Sequence, residues 1–356
     1  MDTFDSKNEL DDRVVGMKKI GLVLGKFAPL HKGHQLLIET ALAEMDLLKL
    51  IIYDSPEVTR IPLAVRSGWI RCLYPEVEVI EAWNGPSQVG YSQELMRQHE
   101  RYVIEELGVA GITHFYSSEP YGEHMSHALG AVDRRVDVER IQIPISATKI
   151  RRDSHGYKDY MESLVYRDLI TNVAILGAPS TGKTTLSRAL AGCFNTQWMP
   201  EYGREYWEKY QIDRKLQPHE LIHIAEQHLN METTRLNVAN RYLFTDTTAL
   251  TTATFCRYYH GYVPERLQLL ADMSPSRYDL TFLCDIDIPY EDTWDRSGDG
   301  QRNVFQRQIV QMLGYYKIPY IVLSGTLEQR VATVSSVLSR YQKYTNILEV
   351  LNCNPL

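Results

Sequence analysis

Short apolar runs recur along this chain, and most are followed by stretches whose apolar residues fall at helical spacing. In the first half, residues 20–24, 50–53, 77–80 and 113–116 read as buried strands, with helices predicted over 35–47, 63–74 and 92–107. In the second half the strand-like runs are 173–176, 194–199, 241–246, 280–284 and 320–323, with helices predicted from the 180s to Ala191 and over 327–344. Continuous apolar runs separated by helices predict parallel sheets covered on both faces. Residues 1–18 lack apolar periodicity and read as a flexible leader. An amphipathic helix over 155–170 is expected to close the first domain. The chain thus divides into 19–170 and 171–356, meeting near residues 168–172 without a Pro/Gly-rich linker.

The loop after the 173–176 run is the most specific chemical signal. Residues 177–184 read GAPSTGKT and satisfy GxxxxGK(S/T) without a mismatch, between a strand and a predicted helix. Gly177 and Gly182 allow the backbone to turn tightly, so that the N–H groups of Ala178, Pro179's neighbours Ser180 and Thr181, and the residues Lys183, Thr184 and Thr185 at the helix start, can surround a triphosphate. Lys183 supplies a point charge for the β- and γ-phosphates and Thr184 a hydroxyl for Mg²⁺. The site is therefore expected to use ATP as co-substrate with Mg²⁺. The run ending at Asp246 has the form of a strand delivering a carboxylate to this loop, to hold Mg²⁺ or accept a proton; Asp285 and Asp287 compete for that role. The glycine-containing stretch 290–302, basic at Arg296 and Arg302, reads as a lid that would close over the transferring phosphoryl group.

Composition narrows the partners. The chain has 356 residues, 44% hydrophobic and 23% charged, with a net charge of −7, so no broad basic surface for DNA or RNA is expected. Five scattered cysteines form no CxxC pair, which argues for reduced thiols in a cytoplasmic protein and against structural zinc. No apolar run has the length of a membrane span. Small phosphate-bearing molecules remain as partners.

A second phosphate-directed loop follows the first strand, GKFAPLHKGH over 25–34. Its His31 and His34 stand where a parallel strand hands over to a helix, the edge at which open α/β sheets bind ligands. Zinc would need a third ligand of matching spacing, and none is near. Much later, ISATKIR over 145–151 opens another short helix, with Ser146 and Thr148 as caps and Lys149 and Arg151 able to reach phosphates. Together the two segments resemble the nucleotidyltransferases with HxGH and ISxTxxR motifs. That resemblance implies a Rossmann-like domain, with Gly25, Lys26, Phe27, His31, His34, Thr148 and Arg151 around ATP. The reaction implied is in-line attack on the α-phosphate, with pyrophosphate leaving. Trp83, after another strand, is a candidate to stack on a substrate ring.

Both halves, taken with SSEPYGE over 117–123, EYGREY over 201–206, DTTALTT from Asp246 and TWDRSGDGQR over 293–302, resemble the bifunctional NadR family. The resemblance implies a Rossmann-like nucleotidyltransferase domain followed by a P-loop kinase domain. The kinase would phosphorylate nicotinamide riboside, and the transferase would join the mononucleotide (NMN) to AMP, giving NAD. It also implies Asp246 as activator of the riboside hydroxyl, and Tyr202, Arg204, Tyr206 and Trp294 as substrate-binding residues. Family members commonly carry DTD where this chain has Asp246, Thr247 and Thr248. Members with a repressor role carry a helix-turn-helix module that this sequence does not contain, so operator binding is not expected. The alternatives are a fused adenylyltransferase and kinase of coenzyme A synthesis, and a nucleotide sensor without turnover.

Overall fold

The computed structural model describes residues 18–86, 92–119, 122–210, 216–289 and 299–345. The expected leader, Trp294 and Arg296, and most of the expected lid lie outside those residues. The chain forms two compact units: one runs to Val165 and takes in Tyr344 again at the end, and the other spans Tyr166–Lys343, so the second domain expected over 171–356 ends before Tyr344.

In the first unit, β1 (Ile20–Gly25), α1 (Lys32–Glu44), β2 (Leu47–Tyr53), α2 (Leu63–Leu73), β3 (Glu78–Ala82), α3 (Gln93–Arg101), β4 (His114–Ser117), α4 (Glu123–Leu129), β5 (Val132–Arg135) and α5 (Ala147–Arg152) alternate. The five strands are all parallel, in the order β3-β2-β1-β4-β5. Sequence direction reverses between β1 and β4, so the crevice at their carboxyl ends is the place for a ligand. Leu22, Ile51, Phe115 and Val103 are buried in the core below it. Tyr102–Glu106 continues α3 as one π-helical turn.

Two elements differ from the pattern expected. β5 was not anticipated: Val132–Arg135 is polar and largely exposed at the sheet edge, so nothing in it alternates. The single helix expected over 155–170 is broken. Asp153 Oδ1 accepts from Gly156 N at 2.8 Å, turning the chain after α5, and only a 3₁₀ turn (Lys158–Tyr160) and α6 (Ser163–Leu169) remain helical. The partition falls inside α6, ahead of residues 168–172. The Tyr166 hydroxyl already donates to Ala239 O of the second unit, at 2.5 Å.

The second unit runs β6 (Thr171–Leu176), α7 (Lys183–Cys193), β7 (Gln197–Met199), α8 (Tyr202–Tyr210), α9 (Pro218–Leu236), β8 (Tyr242–Asp246), α10 (Ala249–His260), α11 (Glu265–Asp272), α12 (Ser274–Arg277), β9 (Leu280–Cys284), α13 (Asp299–Tyr315), β10 (Ile321–Leu323) and α14 (Leu327–Arg340). Its sheet is again all parallel, in the order β10-β9-β6-β8-β7. β6 is buried at every position, as its unbroken apolar run requires. Cores form on both faces, one around Leu250, Ala253 and Ile309 and the other around Val173, Leu186 and Phe282. Among the described residues no helix is long and apolar enough to cross a membrane.

Candidate active sites in two units

The first site is built by the turn from β1 into α1. Phe27 takes a left-handed φ of 47°, the Ala28–Pro29 bond is cis, and His31 becomes the N-cap of α1, its Nδ1 accepting from His34 N at 3.4 Å. This stacks the two imidazoles at 3.7 Å between ring centroids, with Phe27 edge-on to His34 at 4.9 Å. Gly33 suits that packing, since a Cβ there would lie 3.1 Å from the His31 ring, which would have to give way slightly. Burial, with Arg140 beside it, pushes His31 down to about 4, and burial likewise holds His34 well below the ordinary imidazole value. Both rings are therefore neutral near pH 7. Nδ1 of His34 has no hydrogen-bond partner among the described residues.

The distant helix comes to the same loop. Ser146 caps α5, accepting from Lys149 N at 3.3 Å, and Arg151 donates to Ala28 O at 2.6 Å and to Thr148 Oγ1 at 3.0 Å. Gly25, Phe27, His31, His34, Thr148 and Arg151 are thus brought to one loop edge. Lys26, at the same edge, pairs with Glu57 at 2.7 Å. Trp83 follows β3 and is 53% exposed, its carbonyl accepting from the Tyr102 hydroxyl at 2.7 Å.

Two arginines of this unit were not singled out from sequence. Arg140 stands on a loop in which the Asp137 carboxylate accepts from Ile141, Gln142 and Ile143 N, with left-handed φ at both Asp137 and Arg140. Arg66 on α2 is fully buried and donates to Lys26 O, Tyr53 O, Asp54 O and Ile61 O. It ties the loops after β1 and β2 to one helix. An arginine among the mostly apolar residues of α2 gives no pattern in sequence by which to foresee this.

In the second unit the loop between β6 and α7 has the expected strand-loop-helix context. Gly177 has φ 147°, and a Cβ there would meet Thr181 Oγ1 at 2.7 Å and Cys284 O at 2.8 Å. Lys183 Nζ donates to Ala178 O at 2.9 Å. Three side chains from the C-terminal part hold this loop from outside. Ala178 N donates to Gln306 Oε1 at 2.9 Å, Arg302 donates to Ser180 O at 3.1 Å, and Arg330 donates to Thr181 O at 2.7 Å. Arg302 was expected on a lid; it belongs to α13 and is buried, because its guanidinium spans Ser180 O and Ile288 O.

Asp246 ends β8 next to β6, and Thr184 Oγ1 donates to its Oδ2 at 2.5 Å. Asp285 and Asp287 are engaged elsewhere: Asp285 accepts from Ile286 N, and Asp287 pairs with Arg330 and accepts from Gly325 N. Burial, reinforced by Glu201, pushes Asp246 up to about 7 against the opposing pull of Lys183 and Thr184. Its Oδ1 has no hydrogen-bond partner among the described residues. A hydroxyl and a carboxylate oxygen so placed fit Mg²⁺, which takes one or two protein oxygens and completes its shell with water and phosphate. Among the described residues no group of three or more His, Cys, Asp or Glu could hold a metal ion.

A cavity of about 600 Å³ opens from the phosphate loop. Pro179 to Thr185 line one end, and Glu201, Gly203, Arg204 and Trp207 the side formed by α8. Tyr202 and Tyr206, expected to hold the substrate ring, instead lie on the other face of α8, packed against the core and the His223 ring. Helical spacing gives the reason: residues 203, 204 and 207 share a face that 202 and 206 do not. Trp207 is the aromatic residue of α8 that lines the cavity.

Comparison with known proteins follows this division. A family model described as an AAA domain matches residues 172–330. Solved structures of a NadR protein, one in complex with NR and one with NAD and AMP-PNP, superpose with TM-scores of 0.55 and 0.54 at 22% identity. They cover 90% and 93% of this chain, and 96% and 99% of theirs, and so share its fold. The trifunctional NAD biosynthesis/regulator protein NadR of Salmonella typhimurium is 30% identical over 323 residues, 85% of this chain and 78% of the relative. Identity at that level through both units, on the same fold, makes this chain a member of the NadR family.

Proposed function

We propose that this chain makes NAD from nicotinamide riboside in two ATP-dependent steps, one in each unit. The observation that carries the reading is the presence, in one chain, of two separate phosphate-directed loops at the carboxyl edges of two parallel sheets, with Asp246 facing Thr184 at one and the stacked His31 and His34 at the other. The NadR relatives, named for NAD biosynthesis and solved with NR, NAD and AMP-PNP, support it.

In the kinase unit the 5′-hydroxyl of the riboside attacks the γ-phosphorus of ATP. The new O–P bond forms as the γ-phosphorus–oxygen bond to ADP breaks, and Oδ1 of Asp246 takes the hydroxyl proton. A carboxylate pushed up to about 7 is suited to that exchange near neutrality. Thr184 and the Oδ2 side of Asp246 would hold Mg²⁺, which when bound neutralises phosphate charge. Lys183 leaves the Ala178 carbonyl for the phosphates, and Arg204 with Trp207 lines the acceptor side.

In the transferase unit a phosphate oxygen of NMN attacks the α-phosphorus of ATP, and pyrophosphate leaves. His31 and His34 donate to phosphate oxygens as neutral imidazoles. Arg151, already against Ala28, and Lys26 add positive charge where pyrophosphate accumulates it. The chemistry is positional, so the strapped loop matters more than any single acid or base. Both substrates are cytoplasmic metabolites in this reading, and the protein works there.

Incubating the full chain with Mg-ATP and nicotinamide riboside, and following products by mass, tests the proposal. NAD is expected, with one ADP and one pyrophosphate formed per NAD. NAD from NMN but not from the riboside would remove the kinase step; turnover of neither would remove both.

A further inference from the structure

One wall of the kinase cavity is left unused by the phosphoryl-transfer groups. Leu221, Ile224 and His228 follow each other along a single face of α9, and Thr251 and Phe255 lie one turn apart on α10; all five line the cavity. Within this apolar wall two polar atoms are left over. Nε2 of His228 and Oγ1 of Thr251 have no hydrogen-bond partner among the described residues, although the two residues are only 4% and 5% exposed. Buried polar side chains are satisfied in the large majority of cases, so such a pair on a cavity wall points to something the cavity takes in.

The surroundings of His228 sharpen this. Glu232 Oε2 lies 3.9 Å from Nε2, too far for a hydrogen bond, and the carboxylate is otherwise engaged by Arg277, Asn172 and Tyr278. Those contacts fix α9, one turn beyond His228, against the starts of β6 and β9, and oppose any rotation that would turn the ring out. Burial and the Arg277 cation keep the imidazole neutral, so Nε2 offers one donor or one acceptor according to tautomer. The threonine hydroxyl offers either.

We propose that His228 and Thr251 are specificity residues of the kinase cavity, together hydrogen-bonding the carboxamide on the base of the phosphoryl acceptor. The inference rests on the riboside-kinase reading above. A primary carboxamide presents one acceptor oxygen and two N–H donors on the rim of a flat ring. Its oxygen and one N–H match a hydroxyl and an imidazole, while the ring lies against Leu221, Ile224 and Phe255. A ribosylated base without the amide leaves both side chains unpaired, and sites built to hydrogen-bond a substrate group discriminate strongly against analogues that lack it.

The test compares kcat/KM of the full chain for nicotinamide riboside and for pyridinium riboside, which lacks the carboxamide, in the wild type and in His228→Leu and Thr251→Val. The wild type is expected to prefer the amide by about a hundredfold or more. Each variant loses about tenfold of that preference, through KM for the riboside rather than for ATP, and His228→Gln regains part of it. An unchanged KM for ATP and an unchanged far-UV circular dichroism spectrum report that the kinase unit of each variant is folded, and Thr251→Val changes the shape so little that it serves if His228→Leu does not fold. An amide preference identical in wild type and both variants overturns the inference. A wild type that phosphorylates neither riboside overturns the kinase reading itself.

Discussion

At His31 the cost of building the transferase loop is paid in protonation. The ring is pushed down to about 4 in the folded chain, against an unfolded value near 6.5. The unfolded chain therefore binds more protons in that interval, and stability is fully present above pH 6.5 and falls as the pH is lowered towards 4. His31 alone should account for about 2 kcal/mol lost between pH 7 and pH 5. Thermal unfolding of the wild type at the two pH values, beside His31→Asn, checks this: the variant should show the smaller drop.

At the scale of elements, the buried Glu232 does for the kinase unit what Arg66 does for the transferase unit. It joins α9 to Asn172 at the start of β6 and to Arg277 and Tyr278 ahead of β9. Burial raises its carboxyl, and Arg277 at 2.6 Å opposes that rise. Removing one partner leaves the other buried and uncompensated, at a cost of about 3–5 kcal/mol. Arg277→Met should thus lower the denaturant midpoint markedly, while Arg277→Met with Glu232→Leu should be less damaged than the single change. Equal or greater damage in the double variant would count against a charge-pairing role. Nothing in the sequence announced this network, because Glu232 and Arg277 are far apart in the chain and each reads as an ordinary surface charge. The strands were another matter. Val173 to Leu176 and the run ending at Asp246 lack polar alternation because both faces of β6 and β8 are covered, and that is visible in one dimension. Val132–Arg135 has one neighbour and an exposed face, so its strand comes from pairing with β4 and leaves no periodic trace. The two phosphate loops were legible because their backbone geometry demands particular residues at fixed spacing. The acceptor side was less so: whether Tyr202, Tyr206 or Trp207 faces the cavity depends on the rotation of α8, which its aromatic-rich sequence does not set.

Across the whole molecule, each sheet carries its own core and its own phosphate loop, and the two chemistries should be separable by single substitutions. Lys183→Ala is expected to reduce riboside phosphorylation at least about a hundredfold and to leave NAD formation from NMN intact. His34→Ala should do the reverse. Product assays from the two starting compounds decide the matter, and loss of both activities in a folded variant would sink the two-site account. The ties on the kinase loop from Arg302, Gln306 and Arg330 carry a different kind of consequence. A chain with Arg302, Gln306 or Arg330 replaced would still contain every residue of GAPSTGKT and would still match the motif by inspection. It would have lost one of the groups that hold that loop in shape. In a genetic screen for kinase loss, changes in the last part of the gene would then masquerade as defects in ATP binding, although they leave the nucleotide-binding signature untouched.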